Sequence, residues 1–314
     1  MTDGRRRKAQ SRQAKGIPAK RWRSMMATIR NPIEWSGAQL VSAAHAAEAV
    51  GRSVDHMRQT AHSPAPAIRR ITTADVWQSL RQGFSDFEAY RSDVIFLCAT
   101  YAIVGVVLAR LAFGADLLPL LFPLASGFAI IGPLAAVGLY EMSRLREQGV
   151  EVGWANAFDV LKAPAIGGIA ALGMILIAVF LLWLVTAWAI FQATLAPTIP
   201  GRVDITTFVL AVLLTPPGQE MMVMGISVGF LFALLAMMLS VVSFPLLLDR
   251  DTGLDTAIGT SFRAVLANPG PMALWGLIVA ALLVAGTALV FVGLMVAVPV
   301  LGHATWHLYR KLIV

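Results

Sequence analysis

"GLMVAVPVLGHATWHLYR", residues 293–310, decides how this chain is built, because an earlier stretch follows the same plan. Residues 127–144 read "GFAIIGPLAAVGLYEMSR". Gly127, Pro133, Tyr140 and Arg144 recur at identical intervals as Gly293, Pro299, Trp306 and Arg310. Both stretches are apolar, then meet an aromatic residue, then an arginine. For a helix leaving a bilayer this order places the ring at the water interface and the cation just beyond it. The glycines permit close helix approach, since association in lipid relies on small residues. A proline inside a helix lacks an amide hydrogen and kinks the span. The last stretch therefore reads as a second copy of an earlier membrane span.

Composition sets the same class. The chain has 314 residues, 57% of them hydrophobic and 14% charged, with a mean hydropathy of +0.72. Apolar runs lie near 93–113, 117–140, 165–191, 221–248 and 271–308. Runs of that length and purity belong in a membrane. The final run is too long for one upright span, and the repeat divides it into 271–288 and 291–308. The single cysteine, Cys98, excludes an intramolecular disulfide and a Cys-rich metal site.

Three short amphipathic stretches precede these runs. Phe84, Phe87 and Ala89 sit in "GFSDFEAYR", Phe158, Leu161 and Ala163 in "AFDVLKAP", and Phe262, Val265 and Ala267 in "SFRAVLANP". The spacing puts the first two residues of each set on one helix face, which suits a helix lying on one leaflet. If all three face one compartment, an even number of spans separates them. The expectation is an all-α polytopic membrane protein with six transmembrane helices. They form three parallel hairpin repeats, each preceded by a cytoplasmic interfacial helix. The middle repeat keeps the exit charge at Arg250 but displaces its proline to Pro245. Lys and Arg flank the proposed cytoplasmic ends, so both termini are expected in the cytoplasm. Five spans would strand Arg310 and Lys311 outside.

Residues 1–30 are crowded with Arg and Lys. Residues 1–67 are read as a basic, largely disordered cytoplasmic tail held near anionic lipid headgroups, with a surface helix over 33–60. "HSPAPA" at 62–67 reads as a hinge, and 68–314 as the membrane domain. No aromatic-interleaved motif accompanies the basic block, which argues against nucleic acid as a partner.

"GFAIIGPLAAVGLYEMSRLREQG", "FPLLLDRDTGLDTAIGTSFRAVLANPGPMALW" and "VPVLGHATWHLYRKLI" resemble the bacterial integral-membrane family known as domain of unknown function 2189. The similarity runs from about Ile68 to Val314. It implies a polytopic inner-membrane protein with no assigned chemistry, and some members carry a cytochrome-oxidase label.

Catalytic patterns are missing from the sequence: no phosphate loop, triad motif or paired catalytic carboxylates. Mid-span ionisable residues, which mark ion and proton paths, are scarce, with Arg110, Asp116 and Glu141 near span ends. His303 and His307 share a helix face and are the candidate metal ligands, with Glu141 a third as the repeat counterpart of His307. A single imidazole is enough for haem. The bland alternative has both histidines bonding carbonyls or headgroups at the boundary. "RVDITTFVLAVLLTPPGQE", 202–220, is too short to span and reads as an interfacial or re-entrant helix capped by Asp204 and stopped by "TPPG". The functional expectation is a non-enzymatic scaffold or assembly factor for a membrane complex, contacting lipid and other membrane subunits. A passive permeation or lipid-handling protein is the alternative, and a haem- or metal-binding oxidase-associated protein a minor one.

Overall fold

The computed structural model describes residues 51, 53–90, 118–199, 204–288 and 292–314. The proposed span at 93–113, with Cys98 and Arg110, then Asp116 beyond it, and the basic tail through residue 50 lie outside these residues. The compact unit begins at Gly51.

Helices account for nearly all of it. A short helix, α1, covers residues 53–60, and α2 covers 73–90. α2 starts with a reciprocal cap: the Thr72 amide donates to Asp75 at 2.8 Å and the Asp75 amide to the Thr72 hydroxyl at 3.3 Å. Next come α3 (Leu121–Ala135) and α4 (Val137–Glu147), then a 3-10 helix at Trp154–Lys162. α5 (Ile166–Ala193) is the longest of the described helices. After it lie α6 (Ile205–Leu214), α7 (Pro216–Ser240) and α8 (Ser243–Asp249). The last three are α9 (Leu254–Ala267), α10 (Pro269–Ala288) and α11 (Leu294–Leu312).

Among the described residues, four helical stretches are long and apolar enough to cross a membrane: Leu121–Glu147, Ile166–Thr198, Pro216–Asp249 and Pro269–Ala288. α11 is not one of them, because its second half carries His303, His307, Arg310 and Lys311. The apolar run 271–308 does divide into two helices, α10 and α11.

Asp204 caps α6, its carboxylate accepting from the amides of Thr206 and Thr207. "TPPG" both stops α6 and starts α7: Thr215 caps α7, and its prolines occupy the first turn, where amides have no helical acceptor. Gly218 is required in this turn, since a side-chain carbon there would lie 2.1 Å from the Ala211 carbonyl oxygen.

The prolines act unequally. Pro133 lies three residues before the break between α3 and α4, at Ala136. Pro245 lies three residues after the break between α7 and α8, inside the first turn of α8. Counted back from Arg144 and Arg250, the two breaks fall at one register, Ala136 and Val242. A proline weakens a helix from either side of such a point, so the displaced Pro245 makes an equivalent interruption. Pro299 lies inside α11, which runs on through it without a break. Gly302 occupies the corresponding register there, packed against Leu139 and Ala136.

The amphipathic helices also pack at one register. Gly83 of α2 lies against α11, where a side-chain carbon would fall 2.4 Å from the Ala304 nitrogen. Ala157 of the 3-10 helix lies against Gly138 of α4. Ser261 of α9 accepts the Val242 amide at 3.2 Å, and Ser243 of α8 donates to the Ala257 carbonyl at 3.1 Å. Gly83, Ala157 and Ser261 each precede the repeat phenylalanine. The 3-10 helix thus sits on α4, α9 on the junction of α7 and α8, and α2 on α11.

Residues 62–71 form a strap rather than a loose hinge. Ser63 bonds Thr252, Gly253 and Thr256, and the His62 amide donates to Asp255. Asn268 ties the strap to α9, accepting from the Ile71 amide and donating to the carbonyls of Arg69 and Ala264. Ile68 pairs with Ile313 in an antiparallel bridge.

Candidate functional site

α4, α8 and α11 converge, and their last turns enclose the candidate site. Tyr140 and Trp306 are read from sequence as interfacial rings, yet they are 1% and 0% exposed. They fill the core between the converging helices, with the Trp306 ring 5.5 Å from that of Tyr309. The cause is simple: where three helices meet, large rings fill the space between them rather than facing lipid headgroups.

Asp86 of α2 is the centre of the polar groups, although it lies within the "GFSDFEAYR" stretch read only for its phenylalanines. Its carboxylate is buried and accepts from the Ser143 hydroxyl at 2.6 Å, from His307 Nε2 at 2.9 Å and from Arg146 Nη1 at 2.5 Å. Ser143 has one hydroxyl proton, given to Asp86, so His303 Nδ1 donates to the Ser143 oxygen across 2.8 Å. His303 Nε2 is buried and finds no hydrogen-bond partner among the described residues. Arg146 also lies over the Tyr90 ring at the end of α2. Burial alone would raise the Asp86 pKa, but hydrogen bonds from His307 and Ser143 and the charge around them hold it below 3.8.

Around this centre the charges form a shared network. Glu141 is bound by two nitrogens of Arg144, at 2.7 and 2.6 Å. Asp86 takes Arg146, Glu147 takes Arg310 and Asp249 takes Arg250. Arg310 and the Tyr309 hydroxyl also reach Asp249, at 3.3 and 2.7 Å.

The sequence places His303 and His307 on one face as a ligand pair, and they do share it. Their nitrogens are directed at different partners, however: His303 at Ser143, and His307 at Asp86 with Glu147 3.7 Å from its Nδ1. Glu141, the expected third ligand, is turned to Arg144. Among the described residues no three His, Cys, Asp or Glu side chains are grouped to hold a metal ion. Of the remaining motif residues, Gly127 permits close approach of α3 to α5, a side-chain carbon there falling 2.1 Å from the Phe180 ring. Gly293 caps α11 at its start.

The arrangement is that of a membrane protein whose polar groups are gathered at one end of an apolar helix bundle. Residues 121–249 match the family described as predicted integral membrane protein, domain of unknown function 2189. The match runs from α3 to the end of α8. α10 and α11, with His303 and His307 on the latter, lie beyond it. No curated protein and no solved structure matches the chain.

Sequence reasoning missed Asp86, Ser143, Asp249 and Asn268. A signal existed for Asp86: its counterparts two residues after the repeat phenylalanine are Val160 and Ala264, both buried. An acid in a buried register needs a partner.

Proposed function

We propose that the chain is a non-enzymatic scaffold or accessory factor for a membrane complex in the bacterial inner membrane. It crosses six times as three parallel hairpins, both termini are cytoplasmic, and the basic tail engages anionic headgroups. The observation that carries this reading is the set of ion pairs between helices: Asp86 of α2 with Arg146 of α4, and Arg310 of α11 with both Glu147 of α4 and Asp249 of α8. Such a network holds helices in register. The repeat gains support from the common registers of helix breaks and amphipathic-helix packing.

Passive permeation or lipid handling is the second reading, supported by the apolar face that α5 and α7 expose through Met174, Leu181, Val185, Phe230 and Leu231. Native mass spectrometry after gentle extraction separates the two. Co-purifying membrane subunits at fixed stoichiometry are the expected result; bound lipid or solute alone favours the second reading. A reporter fused after Val314 is expected to report the cytoplasm, and a periplasmic signal there removes the six-span topology.

A further inference from the structure

The outward faces of the three amphipathic helices share a pattern that packing does not explain. The sequence places Phe and the apolar residue three positions on upon one lipid-facing side. In α2 this fails: Phe84 is 47% exposed and Phe87 8%. In α9 Val265 is likewise buried. Only in the 3-10 helix are both exposed, Phe158 and Leu161. The reason is pitch. Three residues on is about 60° short of a full turn in an α-helix, but directly above in a 3-10 helix.

Another outward line takes the place of the expected one. In α2, Trp77 lies about 20° around the helix from Phe84, and in α9 Leu266 lies about 40° from Phe262. All but Phe262, which is half-buried, are exposed. A cation flanks each line on one side. Arg81 is about 60° from Phe84, Arg263 about 100° from Phe262, and Lys162 about 120° from Phe158 at three residues per turn. All three cations are exposed. The buried residues Phe87, Val265 and Val160 lie on the other side of the line, at about −60°, −60° and −120°. Each helix therefore runs from core, to apolar line, to cation, turning in the same sense.

That order matches a membrane boundary: apolar groups at acyl depth and a cation at the level of the phosphates. We infer that α2, the 3-10 helix and α9 each hold one anionic phospholipid headgroup of the same leaflet, through Arg81, Lys162 and Arg263 beside their exposed apolar lines. The inference rests on the repeat reading above and names a lipid partner for it. The positions are not equal. Lys162 shares its charge with Asp159 at 2.8 Å, which makes that position the weakest. Arg263 leans on its own helix, bonding the Gly259 carbonyl and the Thr260 hydroxyl. Glu88, exposed one turn beyond Phe84, reduces the field at the far end of α2.

The test uses the full chain in nanodiscs of equal parts phosphatidylglycerol and phosphatidylcholine, with retained lipids counted by native mass spectrometry. Three retained phosphatidylglycerol molecules are expected. Arg81→Gln and Arg263→Gln each weaken retention of one about fivefold, Lys162→Gln has a smaller effect, and Arg81→Lys restores the count. Circular dichroism checks that the variants keep their helices. Equal retention of phosphatidylcholine, or a phosphatidylglycerol count unmoved by the Gln variants, overturns the inference. So does a count that falls only with Arg5→Gln/Arg6→Gln/Arg7→Gln, which assigns anion binding to the tail. The Val314 reporter tests the topology independently of any lipid count.

Discussion

The midsection of α5 and the last turns of α4 and α11 are both helical, yet they are held by opposite means. α5 exposes Met174, Leu181, Leu182 and Val185, large apolar side chains that water would not tolerate in such number. Where it is packed, it relies on close approach, as where Phe180 meets Gly127 and Leu134 meets Gly173. The ends of α4 and α11 instead bury Glu141, Ser143, His303 and Trp306. Lipid supplies no hydrophobic force between helices, so the first region depends on shape. The second has a core like that of a water-soluble protein, and its polar groups are costly unless satisfied.

The sharpest way to break this contrast is Asp86→Ala. It leaves Arg146 and His307 without their carboxylate, and breaking a buried pair costs about 3–5 kcal/mol. Val160→Ala, at the same register of the 3-10 helix, removes only buried methyls and is expected to cost about 1–2 kcal/mol. Unfolding of the purified variants in detergent measures both. Equal losses would mean that the polar network adds nothing to packing.

A somewhat smaller effect is expected from Gly83→Leu, which forces α2 away from the backbone of α11, at about 1–3 kcal/mol. Gly132→Ala is its control: among the described residues nothing outside its own helix backbone lies within 4 Å of the added carbon, and helix propensity favours alanine by up to about 1 kcal/mol. Loss of stability in the control would show that α3 is packed differently from this description.

Acid separates the two regions more gently. Asp86 has a folded pKa below its ordinary 3.8, so its contribution is complete above that value. It disappears as pH falls through the lowered folded value. Melting temperature measured from pH 6 to pH 3 is expected to fall at the acid end, and Asp86→Asn is expected to remove much of that dependence. The smallest effect belongs to the apolar face: Leu181→Ala, exposed on α5, should change stability in detergent by less than about 0.5 kcal/mol. A large loss there would show that a protein neighbour, not lipid, covers this face.

How much of this was legible follows from the range of the interactions. Asp204 as a cap and "TPPG" as a boundary depend on neighbours within a few residues and can be read locally, while the division of 271–308 was legible through comparison with 127–144. The roles of Tyr140 and Trp306 could not be read that way. An aromatic residue followed by an arginine looks the same whether the ring meets headgroups or two other helices. Asp86 was half legible, since comparing repeats exposes an acid where its counterparts are Val160 and Ala264. Its partners were hidden: Ser143 is 57 residues away and His307 is 221.

That last separation sets a waiting time. At about 5–20 residues per second, a ribosome takes on the order of 10–40 s to travel from Asp86 to His307. Throughout that interval α2 exists without α11, its Gly83 face open and Asp86 without His307. The helices from α3 to α10 are made meanwhile, so the seam between α2 and α11 closes after them. A newborn chain is thus long exposed to proteases and stray partners along this face of α2.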